Sequence, residues 1–310
     1  MMRILSPWVL RGLKATLAAG LLFLLWRVAD GANAVELLLG IDLRWASAAL
    51  AALTLQTVLC ALRWRLTASS LGIRFSGRTA LREYYLSQLF NQALPGGVLG
   101  DAGRAVRARA QAGLLISAQA VIFERLAGQI ALFVVFAAAA LLTLTWPGAL
   151  DLPVWLHGPV VAVLVAGGLG LILLWRQEFW PAAANRTFRI PFARAIAAPE
   201  MRLRQIAFSL GTALCNIAAF AFCAQAVGVS LPVLGALVLI PLVLLSMLIP
   251  LTIGGWGLRE GAAVLILPAV GVSAGEALAA SVAFGLGIVI ASLPGLLGLT
   301  KIAAPEVIRS

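Results

Sequence analysis

Asn91-Gln92-Ala93-Leu94-Pro95-Gly96-Gly97-Val98-Leu99-Gly100-Asp101-Ala102-Gly103-Arg104 interrupts a moderately apolar helical run with a proline and several glycines, then supplies an arginine. Ser246-Met247-Leu248-Ile249-Pro250-Leu251-Thr252-Ile253-Gly254-Gly255-Trp256-Gly257-Leu258-Arg259-Glu260-Gly261 repeats the plan. Proline removes a backbone donor and clashes with the preceding turn, so each run breaks there. At membrane depth, freed backbone is tolerated only inside protein or beside a water-filled cavity. The stretches 80–113 and 232–262 therefore read as re-entrant broken helices.

The surrounding composition fixes the solvent. The 310 residues are 62% hydrophobic and 11% charged, with a mean hydropathy of +1.02. Soluble domains run at about 45–50% apolar and about 25% charged, so this is an integral membrane protein. Spanning helices need about 20 mainly apolar residues. Six stretches qualify: 12–29, 45–68, 117–144, 158–175, 203–227 and 277–299. The first resembles a signal peptide, with Arg3, Arg11 and Lys14 ahead of it and Ala32-Asn33-Ala34 after it. Arg27 and Asp30 separate the apolar run from that site, so a retained helix is expected.

Of 23 basic residues, 19 fall on one side of these spans. They precede span 1, lie between spans 2 and 3 (Arg63, Arg65, Arg74, Arg78, Arg82, Arg104, Arg107, Arg109) and between spans 4 and 5 (Arg176, Arg186, Arg189, Arg194, Arg202, Arg204), or follow span 6. The positive-inside rule places these segments and both termini in the cytoplasm. The net charge of +11 is thus topology and lipid contact; nucleic acid is a poor partner for so apolar a chain. Eight of nine tryptophans, all but Trp256, stand near span ends as an interfacial belt would. Tyr84, Tyr85 and the single histidine, His157, read as interfacial. Cys60, Cys215 and Cys223 lie in apolar runs and suggest neither disulfide nor metal site.

The order of elements repeats. Pro95 and Pro250 stand 155 residues apart, and spans 1 to 3 begin 146, 158 and 160 residues before spans 4 to 6 (12 against 158, 45 against 203, 117 against 277). A single membrane domain over 1–310 is expected, divided into repeats at 1–146 and 147–300. Each repeat holds three crossings, so the second copy starts on the opposite face. The fold class is an all-α polytopic membrane protein of about six transmembrane helices plus two re-entrant broken helices, arranged as an inverted-topology repeat. Secondary transporters use that arrangement to hold substrate near the midplane between half-helix ends.

Ionised groups inside a bilayer cost about 2.5–3.5 kcal/mol each on insertion scales and usually face the bundle interior. Asp101 with Arg104, Glu124 with Arg125, and Arg259 with Glu260 form three neighbouring acid–base pairs. Arg104, Arg125 and Arg259 offer bidentate donors to a phosphate, with the acids orienting them. Helix N-termini near Asp101 and Gly257 would add backbone N–H groups suited to an anion. Asp101 also suits an N-cap of the helix through Arg109. Asn91 and Gln92 could line a cavity or satisfy loosened backbone. The candidate substrate-binding set is Asn91, Pro95, Gly96, Gly97, Gly100, Asp101, Arg104, Glu124, Arg125, Pro250, Gly254, Gly255, Gly257, Arg259 and Glu260; neither a cofactor nor a metal is expected.

At these motifs the sequence resembles the flippase-like integral membrane family related to the transmembrane half of lysylphosphatidylglycerol synthases, which includes bacterial inner-membrane proteins and hopanoid-associated members. The matching residues are Asn91, Leu94 to Asp101 with Arg104, Glu124-Arg125, Pro250, and Gly254 to Gly257 with Arg259-Glu260. The resemblance implies movement of a lipid or lipid-linked headgroup between leaflets. The soluble aminoacyl-transferase half of the bifunctional synthases is not found after span 6, so lysyl transfer is not expected.

Three functions follow. The first is translocation of a membrane lipid with an anionic headgroup, without ATP hydrolysis by the chain itself, since no P-loop occurs. The second is a partner subunit for a lipid synthase or glycosyltransferase, docked through the arginine-rich connection 176–204. The third is a lipid-modifying enzyme using Asp101 or Glu260 as base, which lacks any Ser/His/Asp set or metal cluster. A non-enzymatic translocase is the leading expectation; an ion channel would want a ring of like charge, and none is evident.

Overall fold

The computed structural model describes residues 16, 20, 23–94, 98–146, 148–248, 252 and 254–301; Pro95, Gly96, Gly97 and Pro250 lie outside them. Among the described residues the chain is helical and contains no strand. The helices are α1 Gly31–Leu39, α2 Leu43–Ser70, α3 Gly77–Ala93, α4 Leu99–Thr145, α5 Val154–Trp175, α6 Ile190–Ala197, α7 Pro199–Ala226, α8 Val233–Leu245, α9 Leu258–Ile266 and α10 Ala274–Ser292. Turns of 3₁₀ helix continue α10 to Lys301.

Five of the described helices are long and apolar enough to cross a membrane: α2, α4, α5, α7 and the run Ala274–Leu299. They coincide with the expected spans 2 to 6 within a few residues at most ends. Of span 1, residues 16, 20 and 23–28 are described, and they are helical. The third span differs from expectation at its start. It is continuous with the helix that follows the first break, giving a 47-residue α4 with a kink at Gly113 (φ 80°, ψ 165°).

The helix ends are written in the sequence. Asp42 caps α2 by accepting from the Arg44 N–H, and Ser76 caps α3 by accepting from the Thr79 N–H. Ser273 and Glu276 form a reciprocal capping box on α10. Helix α2 runs along α7, its most extensive neighbour. Both helices bury small residues, Ala49, Ala61 and Ala68 on α2 and Ala213, Ala219 and Ala224 on α7, and Gln205 Nε2 donates to Thr67 Oγ1 at 2.8 Å between them. Small residues let helices approach closely where lipid removes the hydrophobic drive, and polar pairs then bind them.

Around that axis α10 packs on α7, α2, α9 and α1, while α3 packs on α2, α4 and the 3₁₀ turns after α10. Helix α5 lies at the periphery with most of its surface exposed, consistent with lipid contact. The connection 177–197 folds back on α4: Phe192 is buried, edge-on to Phe123 at 5.3 Å, and Phe188 stacks with Trp180. Its arginines Arg186 and Arg194 point outward.

Two expectations fail here. Trp64 is 1% exposed and packs on Phe75 at 4.8 Å, so it belongs to the interior and not to an interfacial belt. Arg63 is not in a connection: it lies inside α2, 3% exposed.

Candidate functional site

The first break folds the end of α3 against the start of α4. Gly100 permits the approach, since a Cβ there would stand 1.9 Å from the Ser87 carbonyl oxygen. The Gly100 N–H donates to Asn91 Oδ1 at 2.8 Å, and Asn91 Nδ2 donates to Asp101 Oδ2 at 3.2 Å. Asp101 lies in the first turn of α4, with Val98 as the N-cap, so it orients side chains instead of capping the helix.

A buried charge network grows from Asp101. Its carboxylate accepts from Ser87 Oγ at 2.9 Å and from Arg104 Nη2 at 3.0 Å, and pairs with Arg125 Nη2 at 2.5 Å. Arg104 also reaches Glu124 Oε2 at 3.2 Å. Glu124 Oε1 accepts from Arg63 Nη2 at 2.6 Å and from Tyr84 OH at 3.4 Å. The sequence neighbours Glu124 and Arg125 therefore do not pair with each other: successive helix positions point about 100° apart, and each finds its partner on another turn or helix. Arg104 is fully buried between the rings of Trp64 (4.6 Å) and Tyr84 (4.5 Å), where cation–π attraction replaces some of the lost hydration. Tyr84, expected at an interface, is 6% exposed and joins this network. Three arginines face two carboxylates, leaving one positive charge in excess.

The second break forms a separate, neutral cluster. Gly254, Gly255 and Gly257 adopt φ of 56°, 81° and 87°, a left-handed path that admits glycine without strain. Glu260 Oε2 accepts from the Gly257 N–H at 2.7 Å and closes the start of α9. Glu260 Oε1 pairs with Arg259 and accepts from Ser281 Oγ, which itself accepts from Arg259 Nε at 3.1 Å. Arg259 is fully buried between Trp256 and Phe284. One N–H at each helix start is already taken: Asn91 occupies that of Gly100, and Glu260 occupies that of Gly257.

Between the two breaks lies a cavity of about 240 Å³. Tyr84, Ser87, Asn91 and Gln92 line one side, Thr252, Gly254 and Gly255 another, and Gln56, Gln88, Gln129 and Asn216 contribute further carboxamides. Leu53, Leu132, Leu244, Met247, Leu248, Phe284 and Ile288 complete the wall. Among the described residues Arg125 is the one charged side chain in this lining, with 47% of its surface open. Arg104 and Arg259 do not reach the cavity; they stand behind its wall and fix the elements that form it. Among the described residues no group of His, Cys, Asp and Glu has the arrangement of a metal site.

The family model of the lysylphosphatidylglycerol synthase TM region matches residues 12–295. The chain belongs to the lysylphosphatidylglycerol synthase TM family. That match covers nearly the whole chain, includes both breaks and the charged residues of both clusters, and links this multi-pass membrane protein to lipid metabolism or transport. Comparison with curated proteins gave no match.

Sequence reasoning named Asn91, Gly100, Asp101, Glu124, Arg125, Gly254 and Gly255, which the fold gathers at or just behind the cavity. It missed Arg63, Ser87, Gln88, Gln129, Asn216 and Thr252. The signal for Gln129 and Asn216 was present: each is a polar residue well inside an apolar span, and such residues usually face a bundle interior.

Proposed function

We propose that the protein moves a lipid with an anionic headgroup from one leaflet to the other, its headgroup passing through the cavity while its tails stay in lipid. The observation that carries this reading is the placement of Arg125, the one charged side chain lining a polar cavity between two helix breaks. The excess positive charge of the network around Asp101 supports it, because a buried site left cationic favours an arriving anion.

The local chemistry allows an exchange of partners. An incoming phosphate takes the guanidinium of Arg125 as a charge-assisted, two-pronged acceptor. Asp101 then keeps Ser87, Asn91 and Arg104, so no carboxylate is stranded when Arg125 turns away. Arg104 and Arg259, buried against aromatic rings, hold the two breaks in place through the exchange. No covalent step is involved, and the chain acts as a translocase and not as an enzyme. Two inverted repeats rocking about the α2–α7 axis would open the cavity alternately to each leaflet.

Reconstitution tests this directly. Proteoliposomes containing the purified chain and tail-labelled phosphatidylglycerol should expose the inner-leaflet label to a membrane-impermeant quencher at least tenfold faster than protein-free liposomes. Rates no faster than those of protein-free liposomes, for phosphatidylglycerol and for every other anionic lipid tried, would overturn the proposal.

A further inference from the structure

The cavity contains more hydrogen-bonding capacity than an anion can use. Gln92, Gln129 and Asn216 line it, and their carboxamides make no hydrogen bond among the described residues. Thr252 lines it too, 2% exposed, with a hydroxyl that has no hydrogen-bond partner among the described residues. Gln88 has its Oε1 taken by Thr57 Oγ1 at 3.0 Å. A carboxamide presents two donors and an acceptor in fixed geometry, whereas a phosphate oxygen only accepts. A bare phosphate on Arg125 would therefore leave the carboxamide oxygens of Gln92, Gln129 and Asn216 without a donor. Buried polar groups left unmatched are what make a site reject the wrong ligand.

A ligand ammonium would supply donors, but it calls for a carboxylate, and the lining contains none among the described residues. Asp101, behind the wall, already accepts from four groups. Hydroxyl groups match the lining best, because each is donor and acceptor at once and several can be arrayed on one ring. The cavity, about 240 Å³, falls below the roughly 300–1,000 Å³ of sites that enclose whole drug-sized ligands, so it suits a headgroup with its tails outside.

We infer that the headgroup taken by this cavity is a phosphate bearing a polyhydroxylated ring, a sugar or cyclic polyol, with the phosphate on Arg125 and the ring hydroxyls on Gln92, Gln129, Asn216 and Thr252. This rests on the translocase reading only for the claim that the ligand is a lipid.

Affinities of the purified full chain in detergent for short-chain phosphatidylinositol, phosphatidic acid and phosphatidylethanolamine, measured by thermophoresis, test it. Phosphatidylinositol should bind at least tenfold more tightly than either of the others. Equal affinity across the three, or no binding of phosphatidylinositol, overturns the inference. The paired change Gln129→Leu and Asn216→Leu should bring phosphatidylinositol to within about twofold of phosphatidic acid while leaving phosphatidic acid unchanged. Loss of affinity for both lipids alike would contradict the assigned roles, and the wild-type comparison decides even if that variant does not fold. Inositol 1-phosphate, free in solution, should compete only at concentrations at least tenfold above the short-chain lipid; equal competition would assign the site to a soluble polyol phosphate. Selective binding without movement in proteoliposomes would sink the translocase reading alone, and movement without selectivity would sink this inference alone.

Discussion

Glu124 decides the local electrostatics, because two arginines from different turns of the fold, Arg63 and Arg104, converge on its two oxygens. Removing one partner of a buried ion pair costs about 3–5 kcal/mol, since the remaining charge has nowhere to go. Glu124→Ala should therefore lower the thermal unfolding midpoint in detergent by many degrees or abolish accumulation in the membrane; an unchanged midpoint would show that the network is not formed. The double change Arg63→Leu with Glu124→Leu removes an acid and a base together, leaves Arg104 with Asp101, and should recover part of the loss. Non-additivity in the cycle closed by the single changes Arg63→Leu and Glu124→Leu isolates the Arg63–Glu124 coupling.

Among the elements, the contact between α3 and α4 depends on a position with no room for a side chain. Gly100→Ala would drive a methyl group into the Ser87 carbonyl at 1.9 Å, so α3 and α4 must separate and Asn91 must release the Gly100 N–H. Thermal stability and any lipid movement should fall together in that variant. Gly113→Ala is the informative comparison: nothing lies within 4 Å of a Cβ there, so only the backbone strain of φ 80°, ψ 165° opposes it, about 1–3 kcal/mol. A Gly100→Ala protein as stable as Gly113→Ala would contradict the described packing.

The elements also show what the chain discloses before folding. Apolar runs of the right length gave the spans, and the prolines and glycines at 94–101 and 250–257 gave the breaks, because both signals are local. Partner choice was not legible. Glu124 and Arg125 are adjacent in sequence, yet α4 turns them toward different neighbours, Arg63 from α2 and Asp101 from the first turn of α4. Arg63 itself falls near a span end, where counting basic residues assigns it to a connection; only the packing of α2 on α4 shows that it points inward. Tyr84 looked interfacial for the same reason, until the fold placed its ring on Arg104.

For the whole molecule, the proposed orientation puts the arginine-rich connection 176–204 in the cytoplasm and the uncharged turn at 228–232 outside. In a background lacking the three native cysteines, a membrane-impermeant thiol reagent applied to intact cells should label Ser230→Cys and spare Arg194→Cys. Labelling of Arg194→Cys alone would invert the topology and with it the sides from which the two breaks enter. Movement of a headgroup then depends on one residue. Arg125→Gln removes the single charge lining the cavity and, unlike Glu124→Ala, leaves both carboxylates paired, Asp101 with Arg104 and Glu124 with Arg63 and Arg104. The deciding measurement is the rate of phosphatidylglycerol movement in proteoliposomes containing equal amounts of folded wild-type and Arg125→Gln protein. A loss of at least tenfold, with unfolding midpoints within a few degrees, is the expected result; wild-type rates in the variant would contradict passage of the headgroup through this cavity.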